Sequence, residues 1–170
     1  MNSELEQVLM SFYKNGMISF MKNTPEAFEE AIELALLDEQ PLSWRAAWLL
    51  FDCMEENDPR IKKHLKRIIK AVKSKSGGHQ REFLRILLKM NLTENQEGIL
   101  FDICMNLWED VNNIPSVRYT GFKFIIKIAK KHPELLNELS VITRDHYMQS
   151  LSSGIKHSVQ RMMKEINLPE

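Results

Sequence analysis

Cysteine, glycine and proline are all scarce in this chain, with two, six and six residues respectively in 170. Cys53 and Cys104 stand far apart, each inside an apolar helical run. They read as buried free thiols in a reducing compartment rather than as a disulfide or a redox pair. Charge of one sign is not in surplus: 23 Lys and Arg face 23 Asp and Glu. That balance weighs against a protein devoted to coating nucleic acid, although an overall zero conceals any segregation. No apolar run approaches 18 residues, and "MNSELEQVLMSFYKNG" carries Glu4 and Glu6 before any base. The sequence therefore predicts no membrane span, no signal peptide and a cytoplasmic location. Alternation of apolar and polar residues with period two is also missing, which removes β-strands.

What is present is helical. Hydrophobic residues make up 44% and charged residues 27% of the chain, an ordinary globular composition well away from disorder. A single domain over residues 1–170 accounts for the length, and no disulfide, metal or cofactor is needed to explain folding. The few glycines and prolines stand mostly at helix ends. "NTPEAFEEAIELALL" opens with Thr24 as N-cap and Pro25 at the first helical position; Phe28, Ala31, Ile32, Ala35 and Leu36 then form one apolar stripe. Breaks at Asn57–Pro59, Gly77–Gly78, Leu92–Thr93, Asn112–Pro115, His132–Pro133 and Ser152–Gly154 cut the chain into helices joined by short connections. Such connections make consecutive helices antiparallel neighbours.

Four helices begin just after a turn with a basic residue near their start: Arg45, Arg81, Arg118 and Lys156, spaced by 36, 37 and 38 residues. Three further on come Trp48, Leu84, Gly121 and Val159, and six further on Phe51, Leu87, Phe124 and Met162. Further helices are expected between them at about 61–74, 94–110 and 137–150, with 25–37 before the first. A helix pair recurring at this period, each covering its neighbour's apolar face, follows the logic of an α-solenoid. Trp44 and Trp48 fall in apolar columns of the repeat, so both rings are expected mainly in the core. On that expectation Trp48→Ala costs about 3–5 kcal/mol.

An apolar residue followed by Arg at the start of the second helix, then small or apolar residues, resembles the HEAT and armadillo group of helical repeats. The residues that carry it are Trp44–Arg45, Val117–Arg118 with Gly121–Phe122, and more weakly Arg81. Gln80 and Lys156 depart from the pattern. The resemblance covers residues 25–166 and implies a right-handed all-α solenoid of about four antiparallel pairs, at 23–56, 57–91, 92–132 and 133–168, after N-terminal cap helices in 1–22. It carries no specific activity.

No catalytic constellation stands out. The histidines at 64, 79, 132, 146 and 157 form no HExxH and no i, i+4 pair, and no phosphate-binding glycine motif occurs. Charge is more informative. Nine Lys and Arg with no acid lie between Arg60 and Arg81, and Lys62, Lys66, Lys70 and Lys73 share a helical stripe. The preceding helix is acidic, so either the two faces complement each other or the basic one binds an anion. Along the second helices of the pairs, Arg85, Lys123 and Arg161, then Lys89, Lys127 and Lys164, interleave with the apolar columns. The resemblance places these six on a concave face, with Leu49, Leu50, Tyr119 and Phe122 as apolar contacts.

The expected function is a non-enzymatic interaction module that takes an unidentified partner protein or acidic peptide in that groove. The alternative is nucleic-acid binding of the kind seen in HEAT-like alkylpurine DNA glycosylases, although none of their catalytic residues maps onto this chain. The expected state is a monomer or a weak homodimer associating through the apolar groove end.

Overall fold

A computed structural model of the chain describes residues 3–167. They form helices and turns with no strand. In order these are α1 (Glu4–Ser11), α2 (Lys14–Asn23), α3 (Ala27–Leu36), α4 (Leu42–Cys53), α5 (Pro59–Lys62), α6 (Leu65–Ser74), α7 (Gly77–Leu88), α8 (Glu94–Glu109), α9 (Pro115–Ala129), a 3-10 turn (Pro133–Leu135), α10 (Leu136–Ile142), α11 (Asp145–Met148) and α12 (Ser153–Asn167). Two compact units divide at Asn91 and Leu92.

In the first unit, α1 starts with a capping box: the Glu6 amide donates to Ser3 Oγ at 3.1 Å, and Glu6 accepts from the Ser3 amide. That satisfies two of the amides a helix start leaves without partners. The apolar stripe of α3 is realised, with Phe28, Ala31, Ile32 and Ala35 all buried. The helix starts at Ala27 rather than at Pro25, because Thr24 and Pro25 form a turn whose carbonyls accept from Ala27 and Phe28. Helix α4 packs against α3 on one side and against α1, α2 and α7 on others. Being covered from several directions, it buries Ala46, Ala47, Leu49 and Leu50 completely or nearly so.

The helix expected at 61–74 is interrupted. Asn57 takes a left-handed φ of 51°, Asp58 caps Pro59 at the first position, and α5 ends in a turn closed from the His64 amide to Ile61. Helix α6 then buries Leu65, Ile68, Ile69 and Val72 beneath α7 and α3.

In the second unit, Thr93 and Gln96 form the capping box of α8, as the sequence predicts for Thr93. Helices α8 and α9 pack closely, with Gly121 set against the Cys104 backbone. Phe122, Phe124, Ile125 and Trp108 fill the core here. The segment expected as one helix at 137–150 is instead the 3-10 turn followed by two short helices. Fully burying each large apolar side chain contributes about 1.5–3 kcal/mol, and these clusters are what hold each unit.

The two tryptophans of α4 are less buried than the repeat columns imply. Trp44 keeps 36% of its surface, lying on Gly78. Trp48 is half-buried beneath Lys14, whose ammonium stands 5.3 Å from the ring. Trp108 is the tryptophan with no exposure; its indole N–H donates to Ile142 O at 2.7 Å and its ring meets Phe122 at 4.4 Å.

Candidate functional site

Three of the four aligned basic residues, Arg45, Arg81 and Arg118, turn out to bind the chain itself. Arg45 donates to the Phe12 carbonyl, at the end of α1, over 2.8 Å. Arg118 is fully buried and donates from Nε to Trp108 O at 2.9 Å, from Nη1 to Ser150 Oγ at 2.9 Å and from Nη2 to Tyr147 O at 2.6 Å. Its guanidinium also stacks on Trp108 at 4.8 Å. Carbonyls at helix ends lack intrahelical donors, and a cation there is favoured by the dipole as well. Burial pulls the Arg118 pKa down, and nearby Asp110 opposes that.

The ten residues expected to line a groove separate into three groups. Leu49, Leu50 and Phe122 are core residues with at most 1% exposure. They offer no surface, so both the apolar groove contacts placed there and self-association through Leu49 and Leu50 are corrected. Arg85 and Lys89 are half-exposed but engaged. Arg85 donates to Glu82 at 2.6 Å and stacks 3.7 Å over Phe51. Lys89 lies 4.3 Å from the same ring and donates to the Phe51 and Met54 carbonyls at 3.2 and 3.4 Å, closing the end of α4. Glu82 itself is fully buried between Arg85 and Arg81. The remaining five stay on the surface of the second unit. Lys123 sits 4.5 Å over the Tyr119 ring, Lys127 is half-buried and engaged, and Arg161 and Lys164 are exposed on α12.

A cleft of about 710 Å³ opens beside Lys164. Lys156, Val159, Gln160, Met163 and Lys164 line it from one face of α12, and Thr143, Asp145, Met148 and Gln149 from the other side. Two of the aligned cation positions, Lys156 and Lys164, therefore share this cleft with the part-exposed Met163, while Val159 and Met148 are buried. Sequence reasoning named Lys164 and missed the cleft, because the opposite wall is the segment that breaks into short helices.

The basic run from Arg60 to Arg81 is sorted by the fold. Arg60 pairs with Asp58 at 2.7 Å, Lys63 with Glu29 at 2.8 Å, Lys75 with Asp38 at 3.3 Å and Arg81 with Glu82 at 2.9 Å, while Arg67 grips Glu33 with both terminal nitrogens. Hydrogen bonds from Lys63 and Arg67 hold the Glu29 and Glu33 carboxyls below their ordinary pKa, as Arg60 does for Asp58. Lys62, Lys66, Lys70 and Lys73 are exposed and have no ion pair among the described residues.

Glu29, Glu33 and His64 present atoms within 4.8 Å of one another, a spacing that fits a metal ion. Their carboxylates are already neutralised by Lys63 and Arg67. His64 Nε2 approaches Glu29 at 2.8 Å, an ion-pair distance. The cluster reads as a charge network joining α3 to α6. His79 is buried, donating from Nε2 to Ala35 O at 2.7 Å and accepting at Nδ1 from Gln40 at 2.9 Å, which selects the neutral ring. Burial lowers its pKa. Cys53 and Cys104 are free thiols, and burial raises both.

Among known families, a model described as a HEAT repeat domain matches residues 1–166, spanning both units. Comparison with curated proteins and with solved structures gives no match.

Proposed function

Because the chain belongs to the HEAT repeat family, whose repeats mediate protein interactions and are typically non-enzymatic, we propose that it is an interaction module for an acidic, partly apolar protein segment. The observation that carries this reading is the α12 cleft, where Lys156 and Lys164 stand on either side of the part-exposed Met163. Eight residues of helix separate the two lysines by about 12 Å, a span that suits two carboxylates of an extended peptide with an apolar side chain between them. Arg161, and Lys123 over Tyr119, add cations on the same unit. Cationic groups at the rim steer an acidic segment, and Met163 gives it an apolar contact. A location in a reducing compartment belongs to the same reading, given two free thiols and no described helix long and apolar enough to cross a membrane.

Fluorescence anisotropy with a labelled peptide of alternating Glu and Leu tests this. The Lys156→Glu, Lys164→Glu double variant is expected to bind at least about tenfold more weakly, a difference of about 1.4 kcal/mol. A Gln-for-Glu peptide should lose affinity for the wild-type chain to a similar degree. Unchanged binding by the variant removes the cleft from the reading.

A further inference from the structure

Helix α6 is strongly two-sided. Leu65, Ile68, Ile69, Ala71 and Val72 face inward and are buried. Lys66, Lys70 and Lys73 follow one another at i, i+4 and i+7 on the outer side, and Lys62 at the end of α5 continues the spacing one step earlier. The acids of α3 reach only one flank of this helix, taking up Lys63 and Arg67. The four outer lysines are left without an ion pair or a hydrogen bond among the described residues.

We propose that this outer face of α5 and α6 is a docking surface for the phosphate backbone of a nucleic-acid duplex. Three observations select that occupant. The surface is pure cation: no large hydrophobic residue between Pro59 and Ser76 is exposed, so nothing there anchors an apolar partner segment or inserts into a lipid surface. Exposed single ion pairs with carboxylates are individually weak, so a flexible acidic peptide gains little from four of them. A duplex differs because its dense phosphates carry condensed counterions, whose release drives association with clustered lysines. The outward residues are lysines, with no aromatic ring or amide among them to read bases, so the contact is independent of sequence. This site is separate from the α12 cleft and stands or falls without it.

The test uses the full chain and a short mixed-sequence DNA duplex, with poly-glutamate and phosphatidylserine-containing vesicles as the other arms. Neutralising about four phosphates gives a log–log salt slope near −3.6, a loss of about 150-fold in affinity between 50 and 200 mM salt. Replacing Lys62, Lys66, Lys70 and Lys73 by Gln is expected to abolish the salt-dependent binding, while their replacement by Arg retains it. Since these side chains have no partners to lose, both variants should melt with the parent. The Lys66→Gln, Lys70→Gln pair, expected to halve the slope, serves as the reduced variant. Failure of the wild-type chain to bind the duplex overturns the proposal, as does equal binding by the four-Gln variant. Preference of the wild-type chain for poly-glutamate or for vesicles overturns it too.

Discussion

Arg118, one of the basic residues that mark the repeat, serves packing. Its side chain has no exposure and makes three hydrogen bonds, two of them to carbonyls at Trp108 and Tyr147. Arg118→Ala removes these donors and opens a cavity against Trp108. Urea denaturation should show a loss of about 3 kcal/mol. Lys in its place reaches at most part of the set and should recover only part of that stability. A loss below about 1 kcal/mol would mean that the buried guanidinium is offset by its own desolvation. The cysteines offer a second check at this scale. Cys104 is fully buried with its thiol pushed far above the ordinary value, and Cys53 is half-buried with a raised pKa. Thiolate is the reactive form, so a thiol reagent at neutral pH should modify Cys53 slowly and Cys104 only on unfolding. Rapid modification of both in the native protein would contradict the burial.

At the level of the element, α8 carries a glycine inside a helix that has no stated need of one. A Cβ built at Gly98 meets nothing within 4 Å, and the helix runs on both sides of it from Glu94 to Glu109. Gly98→Ala should therefore raise stability by about 0.5–1 kcal/mol through helix propensity alone. A destabilised variant, by thermal or chemical melting, would reveal a contact at this face. Helix α6 makes the complementary point: its periodicity places Ile68 and Val72 inside and Lys66 and Lys70 outside, and the amphipathic pattern alone is enough to predict that division.

For the whole molecule, pH is the simplest coordinate. Glu29, Glu33 and Asp58 have folded pKa values below their ordinary 4.5, 4.5 and 3.8. A depressed carboxyl stabilises the fold fully above its unfolded value and loses that contribution as pH falls through the folded one. His79 is also depressed, from 6.5, so its unfolded form binds protons first and its contribution likewise declines below that pH. All four act in one direction, and acid should destabilise the protein in two stages: from about pH 6.5 through His79, then below about pH 4.5 through the carboxyls. Melting temperatures across this range check the prediction, with His79→Gln expected to flatten the first stage. A melting temperature that rises on acidification would contradict the sign.

The helical class was legible from residue order alone, as were the repeat marked by Arg45, Arg81, Arg118 and Lys156, the Thr93 cap and the inward side of α6. Each follows from local periodicity and end chemistry, which depend only on neighbours in sequence. The candidate site was legible only in part. Spacing shows that a residue faces away from one stripe, but it does not show whether another helix covers that second face. Leu49 and Leu50 are buried because α4 has neighbours on several sides, and Phe122 because its ring stacks on Trp108. Whether a cation stays available was likewise a question of what lies across from it: Lys89 found the open carbonyls of α4 and Arg67 found Glu33, whereas Lys66 and Lys70 found no acid. Sequence determined which side chains sit at each helix position. Tertiary packing decided which of them face solvent, because burial and charge pairing arise from residues brought together across the fold.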